Sequence, residues 1–185
     1  MTDLTATPGQ TVGPFFGYAL PFPAGERLVP YGHPDGIRLH GTIVDGDGAG
    51  VPDALVEIGQ ADRAGSITRH PGSLHRDGYT FTGWGRTPTD AAGHYSFTTL
   101  EPGRTDAGRA PFIAMTIFAR GLMHRLFTRV YLPGSPALGT DPFLLSVEAG
   151  RRRTLIARRE PGGSLGFDVH LQGDQETVFL SFDPA

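Results

Sequence analysis

Short segments between turn residues are the feature that most constrains how this chain can fold. Its 185 residues include 27 glycines and 16 prolines, spread along the whole length rather than collected in one tract. Because glycine and proline interrupt helices and favour turns, the apolar runs between them stay short. This rhythm is typical of a sandwich or barrel, and helical periodicity is nearly absent. We therefore predict an all-β fold, a β-sandwich core with at most short helices.

Several segments alternate apolar and polar residues with the period of a strand. The clearest begins at Ser164, where Leu165, Phe167, Val169 and Leu171 share one face. The predicted strands are residues 37–44, 54–58, 94–99, 112–118, 126–132, 164–171 and 177–182.

The arrangement of these strands can be predicted in part. Segments 112–118 and 126–132 are apolar enough for central strands buried on both faces. The last two segments flank Gly173-Asp174, a turn sequence, and predict a C-terminal hairpin. One short helix is predicted near residues 141–149. Residues 1–36 show no period and predict an extended N-terminal arm, and the length favours a single domain over residues 1–185.

The composition excludes several classes of function. There is no cysteine, so disulfides, thiolate metal sites and cysteine nucleophiles are excluded. A net charge of −3 argues against a general nucleic-acid binder. No run of eighteen apolar residues is present, and the first residues lack the pattern of a secretory signal. We expect a cytoplasmic protein that binds neither nucleic acid nor membrane.

The sequence carries few of the motifs that would form a catalytic centre within this chain alone. None of the seven histidines forms a His-x-His pair, and the chain contains no phosphate-binding glycine loop. One basic cluster stands out, comprising Arg151, Arg152, Arg153, Arg158 and Arg159. A solvated face is the commoner explanation of such a run, and an anion site is the alternative.

Two other features suggest binding. Residues 7–16 combine two prolines and two glycines, which fix an irregular path and let a partner approach the backbone closely. The alternative is a floppy terminus. Arg120 follows a strongly apolar predicted strand, so its charge is either directed at an anionic ligand or simply emerges into solvent.

Seven segments together carry a resemblance to a known family. They are TPGQTVGP (7–14), VEIGQAD (56–62), GWGRT (83–87), PFIAMTIFARG (111–121), LFTRVYL (126–132), RRTLIARR (152–159) and DVHLQGDQETVFLSF (168–182). On these segments the chain resembles the protocatechuate 3,4-dioxygenases, intradiol ring-cleaving enzymes of aromatic catabolism, and among them the alpha-type chains. The family fold is a β-sandwich with arm-like additions, in agreement with the strand pattern.

The resemblance implies that this chain holds no iron. In the family, a beta-type chain binds Fe(3+) through two tyrosines and two histidines. The matching positions here carry Ile67 (Thr68 if the loop shifts by one), Thr105, Phe112 and Ala114, none of which is expected to coordinate iron. The resemblance therefore implies no catalytic residue on this chain. Gly59 also departs from the family, which usually has tryptophan there.

The same resemblance implies a supporting role at a shared site. Thr11, Gly13, Pro14 and Arg120 match alpha-type residues that approach the iron site of the paired beta subunit and contact substrate. The expected reaction is O2-dependent cleavage of protocatechuate to 3-carboxy-cis,cis-muconate by an alpha–beta hetero-oligomer, with this chain inactive alone. The number of alpha–beta pairs stays open.

Three alternatives remain at the level of sequence. The chain could be a scaffold subunit that contributes nothing to the site. It could be a stand-alone, transthyretin-like β-sandwich that binds a small ligand. It could also be a complete iron enzyme with substituted ligands.

Overall fold

The protein consists mainly of strands arranged in two sheets. This computed structural model describes residues 13, 15–68, 74 and 76–182. The strands are β1 Gly36–Val44, β2 Leu55–Gly59, β3 Trp84–Pro88, β4 His94–Leu100, β5 Phe112–Phe118, β6 Leu126–Tyr131, β7 Arg158–Arg159, β8 Leu165–Gly166 and β9 Val169–His170. The helices are α1 Phe16–Ala19 and α2 Pro142–Ser146, with short 3-10 helices at Pro136–Gly139 and Arg152–Leu155.

The two sheets form the predicted sandwich. One sheet has the order β4-β1-β8-β7, with β9 also paired to β1, and the other has the order β3-β2-β5-β6. Neighbouring strands are antiparallel except where β8 and β9 run parallel to β1. The prediction of an all-β sandwich with only short helices is confirmed.

The core lies between the sheets and is built by period-two alternation. In β1, Leu39 and Ile43 are fully buried, while in β5 the buried residues are Ile113, Met115 and Ile117. Because successive strand residues point to opposite faces, the other residues of β5 face outward. The prediction that segments 112–118 and 126–132 are central and buried on both faces was therefore wrong. β5 is central but buried on one face, and β6 is the edge of its sheet.

The predicted helix near residues 141–149 is present as α2, one turn long. Asp141, itself 1% exposed, caps it by accepting hydrogen bonds from the amides of Phe143 and Leu144, each at 3.0 Å. The other carboxylate oxygen accepts from Ala110 N at 2.9 Å. This cap fastens the α2 segment to the loop that leads into β5.

The predicted C-terminal hairpin is absent. Segment 164–171 is split into β8 and β9, and both pair with β1 rather than with segment 177–182. The latter forms no strand. The Leu180 amide donates to Phe127 O, and Val178 O accepts from the Thr128 hydroxyl, so this segment lies along β6. The turn between the two segments still forms, with hydrogen bonds between Thr177 and His170, but β1 and β6 replace the hairpin pairing on either side of it.

The described part of the N-terminal arm belongs to the folded body. Arg27 forms a β-bridge with Thr98, and Leu28 is 1% exposed within the main core. The strand β3 was not predicted, because its sequence WGRTP contains a glycine and a proline and shows little alternation. No helix in the described ranges has the length and apolar character needed to cross a bilayer.

Candidate functional site

The four positions at which the family resemblance implies lost iron ligands lie around one cavity. Ile67, Thr105, Phe112 and Ala114 all line a space of about 320 Å³ that is open to solvent on one side. Ile67 and Thr105 belong to loops, whereas the other two lie on the outward face of β5. Sequence alone placed these residues in three separate segments, and the tertiary structure brings them together.

The floor of the cavity is a row of paired residues across the sheet. Gly59 of β2 pairs with Trp84 of β3 on one side and with Ala114 of β5 on the other. Directly paired residues in antiparallel strands project to the same face, so all three positions face the cavity. A Cβ atom added to Gly59 would meet no atom within 4 Å. The small residues Gly59 and Ala114 therefore leave the space open beside the indole of Trp84.

Two loops form the walls, and a tight contact holds them together. The Asp62 carboxylate accepts hydrogen bonds from the amides of Ala64 and Ser66, each at 2.9 Å. Gly103 N donates to Asp62 O at 2.7 Å. A Cβ atom on Gly103 would lie 2.3 Å from Arg63 O, so only glycine permits this approach. The contact positions Ile67 and Thr105 over the same face of the sheet.

The described lining does not fit an iron site. Its side chains are aliphatic, aromatic, hydroxyl or carboxamide groups, with no carboxylate, imidazole or phenol among them: Gln60, Ala61, Ile67, Thr68, Thr82, Trp84, Thr105, Ala110, Pro111, Phe112 and Ala114, besides glycines. Ferric iron in this family requires anionic or imidazole ligands. Among the described residues, no group of three His, Asp or Glu side chains converges on a metal-sized point.

The phenol of Tyr131, which lies across from the cavity residue Phe112 in the sheet, is hydrogen-bonded away from the cavity. Tyr131 pairs with Phe112, is fully buried, and donates its hydroxyl to Asp141 at 3.3 Å while accepting from Arg129 at 3.1 Å. Burial raises the pKa of Tyr131, which keeps it a neutral phenol. Arg129 in turn stacks its guanidinium on the ring of Phe112, 4.3 Å from the centroid.

Arg120 stands on the opposite end of β5 from this cavity lining. Its guanidinium donates to the carboxylate of Asp53 at 2.7 Å, and the two side chains are 60% and 55% exposed. Asp53 adopts a left-handed backbone with φ of +62°, which is uncommon outside glycine. Arg120 is thus an exposed cation that pairs with Asp53 among the described residues, and its exposed surface can also meet a second anion.

The N-terminal segment lies beside the same pair. A Cβ atom on Gly17 of α1 would lie 4.0 Å from both the Cβ and the carbonyl oxygen of Asp53. Gly13 has φ of +67°, a conformation that favours glycine, and open space around its Cα. Thr11 and Pro14 lie outside the described residues. The structure therefore places Gly17 of α1 next to Asp53, the residue that pairs with Arg120.

Two exposed aromatic residues at α1 were not singled out individually from the sequence. Phe15 is 75% exposed and Tyr18 is 84% exposed, although both are large and apolar. Such residues on one surface typically mark an interaction site. The signal in the sequence was the aromatic content of the arm, which periodicity could not assign to a face.

The arginine cluster makes contacts within the described chain. Arg152 donates to the carbonyls of Val147 and Leu145, which closes the end of α2. Arg151 donates to Glu176 O, and Arg158 pairs with Asp168. These contacts explain the cluster as structural support at the surface, and they leave the question of an anion site to experiment.

The relatives of the chain agree with this architecture. A family described as "Dioxygenase" matches residues 11–173. The protocatechuate 3,4-dioxygenase alpha chain of Burkholderia cepacia is 41% identical, covering 97% of this chain and 99% of that one. This chain belongs to the intradiol dioxygenase family. It is therefore an oxidoreductase of the intradiol ring-cleaving type, in a family of non-haem iron enzymes.

The chain is also similar to a beta chain of this family and to a solved dioxygenase domain. The protocatechuate 3,4-dioxygenase beta chain of Burkholderia cepacia is 34% identical, covering 84% of this chain and 68% of that one. Among solved structures, the dioxygenase domain of a carbohydrate-binding fusion protein from Streptomyces sp. SirexAA-E has a TM-score of 0.62 at 24% identity, over 94% of this chain and 100% of that one. This last likeness concerns the fold.

Proposed function

We propose that this chain is the alpha-type subunit of a protocatechuate 3,4-dioxygenase and that it leaves iron binding to a beta-type partner. One observation carries the proposal. The four positions that the resemblance aligns with the family's iron ligands surround one cavity, and they carry Ile67, Thr105, Phe112 and Ala114, none of which is an iron ligand. The full-length likeness to an alpha chain, and the lower likeness to a beta chain, support the same assignment.

The contribution of this chain to the reaction is binding and shaping. Arg120 presents a positive charge on an exposed surface, and the substrate of the proposed enzyme is an aromatic carboxylate. Once the partner covers this surface and excludes water, the attraction between such charges strengthens. Thr11, Gly13 and Pro14 would form a wall of the partner's site, where a glycine permits close approach of the backbone.

The chemical step belongs to the partner. Ferric iron held by the beta-type chain would supply the redox chemistry for inserting both atoms of O2 into protocatechuate, giving 3-carboxy-cis,cis-muconate. Arg120 would increase the local concentration of the substrate anion and orient its carboxylate. The assembled unit would contain at least one alpha–beta pair.

Replacing Arg120 tests the shared site. In the assembled enzyme, Arg120→Gln should raise KM for protocatechuate about ten- to a hundredfold, because a charge-assisted contact is worth ~1.5–3 kcal/mol. Iron content should stay unchanged, and Arg120→Lys should recover part of the affinity. Arg109→Gln is the matched control, since Arg109 is similarly exposed and pairs only loosely with Asp106 at 3.7 Å.

Steady-state kinetics and iron analysis on the same preparations distinguish the alternatives. Unchanged KM and turnover in Arg120→Gln would favour a scaffold without any role in the site. Failure of the chain to co-purify with a co-expressed beta-type chain would favour a stand-alone ligand-binding sandwich. Stoichiometric iron with a tyrosinate absorption band in the isolated chain would show a complete enzyme with substituted ligands.

A further inference from the structure

The cavity around Gly59 has no task in the proposed reaction, which takes place in the partner. We propose that this cavity is a second ligand site, and that it binds a small uncharged aromatic molecule: one ring with hydroxyl, methoxy or alkyl substituents and no carboxylate. The inference does not depend on the proposed function, because the cavity lies within this chain.

The size of the cavity suits a single substituted ring. Its volume is about 320 Å³. An engineered apolar cavity of about 150 Å³ is enough to take up benzene, so one ring with a few substituents fits the space here. Ile67, which lines the cavity, is 63% exposed, so the described lining reaches solvent at this residue.

The chemistry of the lining selects for an uncharged aromatic ligand. Trp84 and Phe112 give the cavity an aromatic wall. The Trp84 ring also stacks with Phe22, and the Phe112 ring also contacts the Arg129 guanidinium, so a bound ring would contact only the parts of these rings that line the cavity. All of the described lining residues are uncharged, and Arg129 is not among them, so a carboxylate in this space would lack a charged partner within the lining and is disfavoured. Thr68 and Thr105 place hydroxyl groups in the lining, which can exchange hydrogen bonds with a phenol or a methoxy oxygen.

The carboxamide in the lining is already committed to the fold. Gln60 donates to the carbonyls of Leu100 at 2.8 Å and Ala61 at 3.2 Å, and it accepts from the Thr99 hydroxyl at 2.7 Å. Because its amide nitrogen and its amide oxygen are both hydrogen-bonded within the protein, Gln60 holds the cavity wall in place. It has no uncommitted donor left over for an anionic ligand.

The backbone at Gly59 does not require a glycine, so the open space above this residue comes from its missing side chain. A glycine inside a strand usually marks a bulge or a close approach of another backbone. Gly59 continues the ladder on both sides, and its Cβ position is open. The residue leaves room in the cavity, and a larger side chain would fill this room without moving the strand.

A binding experiment with fluorinated probes tests the site. The purified protein, assembled with its partner, is titrated with 4-fluoroanisole and separately with 4-fluorobenzoate, followed by 19F NMR. We expect saturable binding of 4-fluoroanisole at one site per copy of this chain. Gly59→Trp should weaken the binding at least tenfold, while ring cleavage is unchanged. Gly139→Trp is the matched control, because its Cβ position is also open and it does not line the cavity.

The outcomes decide the proposal. Saturable binding that is lost in Gly59→Trp and kept in Gly139→Trp supports it. Binding of 4-fluoroanisole that is unchanged in Gly59→Trp, or no saturation up to the solubility limit, overturns it. Competition by 4-fluorobenzoate at the same site overturns the requirement for an uncharged ligand. If Gly59→Trp does not fold, Ala114→Leu fills the same cavity from β5 and must give the same loss.

Discussion

At the scale of single residues, Arg86 links the N-terminal arm to the sheet beneath it. Its guanidinium donates to the Glu57 carboxylate through Nε at 2.8 Å and Nη2 at 2.5 Å, and through Nη1 to Leu20 O at 2.8 Å. The Arg86 and Glu57 side chains are 17% and 18% exposed, so solvent screens the pair only partly. The planar fork of arginine serves three acceptor contacts that an ammonium cannot reproduce.

Arg86→Lys should therefore destabilise the protein by about 1–3 kcal/mol, the range for lost hydrogen bonds to a charged group. The matched control is Arg27→Lys, whose partner Glu26 is adjacent in sequence and whose side chain is 44% exposed. That change should cost less than about 0.5 kcal/mol. Urea unfolding of both variants measures the difference, and equal stabilities would show that Arg86 does not anchor the arm.

At the scale of elements, the break between β8 and β9 follows from a close approach to β1. A Cβ atom on Gly41 would lie 1.8 Å from Phe167 O. The carbonyl of Phe167 accepts from the Tyr95 hydroxyl at 2.6 Å, and one Asp168 carboxylate oxygen accepts from Thr42 N at 2.9 Å. Side chains therefore replace the ladder bonds that a continuous strand would make at this point.

Gly41→Ala should destabilise the protein by about 2–4 kcal/mol, because the added methyl group forces the Phe167 backbone to move. Gly59→Ala is the matched control, also a strand glycine but with open space at its Cβ position. We expect that control to be neutral or stabilising by about 0.5–1 kcal/mol, since alanine gives the unfolded chain less conformational entropy to lose on folding than glycine does. Thermal or urea unfolding that ranks the two equally would contradict the close approach.

The turn between β3 and β4, which connects the two sheets, depends on an ionised carboxylate. Asp90 accepts hydrogen bonds from the amides of His94 and Ala92, each at 2.9 Å. These bonds, that from His94 first, lower the pKa of Asp90 below its ordinary value. A lowered folded-state pKa stabilises the native state above the ordinary value, and this stabilisation disappears as pH falls through the lowered pKa.

Asp90→Ala should therefore lower the urea midpoint at pH 7, and this effect should shrink as pH falls through the lowered pKa and the wild-type carboxyl becomes protonated. Asp90→Asn keeps an oxygen acceptor without the charge, so its stability relative to Asp90→Ala should stay constant through this pH window. Midpoints measured for the three proteins at several pH values test this. A wild-type advantage over Asp90→Asn that is equally large at the neutral and acidic ends of this series would exclude a role of the ionised carboxylate.

At the scale of the whole molecule, the two faces of the second sheet have different tasks. The inner face closes the core, whereas the outer face of β5 carries the cavity at one end and leads to Arg120 at the other. Phe15 and Tyr18 add exposed aromatic area at α1, whose Gly17 lies next to Asp53. Exposed aromatic residues are enriched among the anchors of protein interfaces.

Replacing both exposed aromatics should weaken assembly with the beta-type partner. We expect Phe15→Ser combined with Tyr18→Ser to raise the dissociation constant at least tenfold, with little change in the stability of the chain itself. Leu145→Ser is the control, because Leu145 is 51% exposed on α2, away from this surface. Sedimentation velocity on the purified pairs gives the result. Equal weakening by the control would indicate that the effect is not local.

Most of the core could be predicted, because alternation is a local property. The strands at residues 37–44, 94–99 and 112–118 were found with nearly correct bounds, since each presents one apolar face at period two. Strand β3 was not predicted, because it is stabilised by pairing with β2 and with the arm, and its own sequence shows no strand pattern. The prediction of a C-terminal hairpin was wrong, because its first segment pairs with β1 and its second lies along β6, instead of the two pairing with each other.

The sequence by itself determined the sandwich and its inward-facing residues, because alternation is read directly from the chain. The loss of four iron-ligand positions is what the family resemblance implies. Only the tertiary structure decided that Ile67, Thr105, Phe112 and Ala114 surround one open cavity, and that Arg120 lies beside Asp53 and α1. The physical reason is sequence distance. Sheet pairing and the loop contact at Gly103 bring these residues together, and neither leaves a local pattern that periodicity could detect.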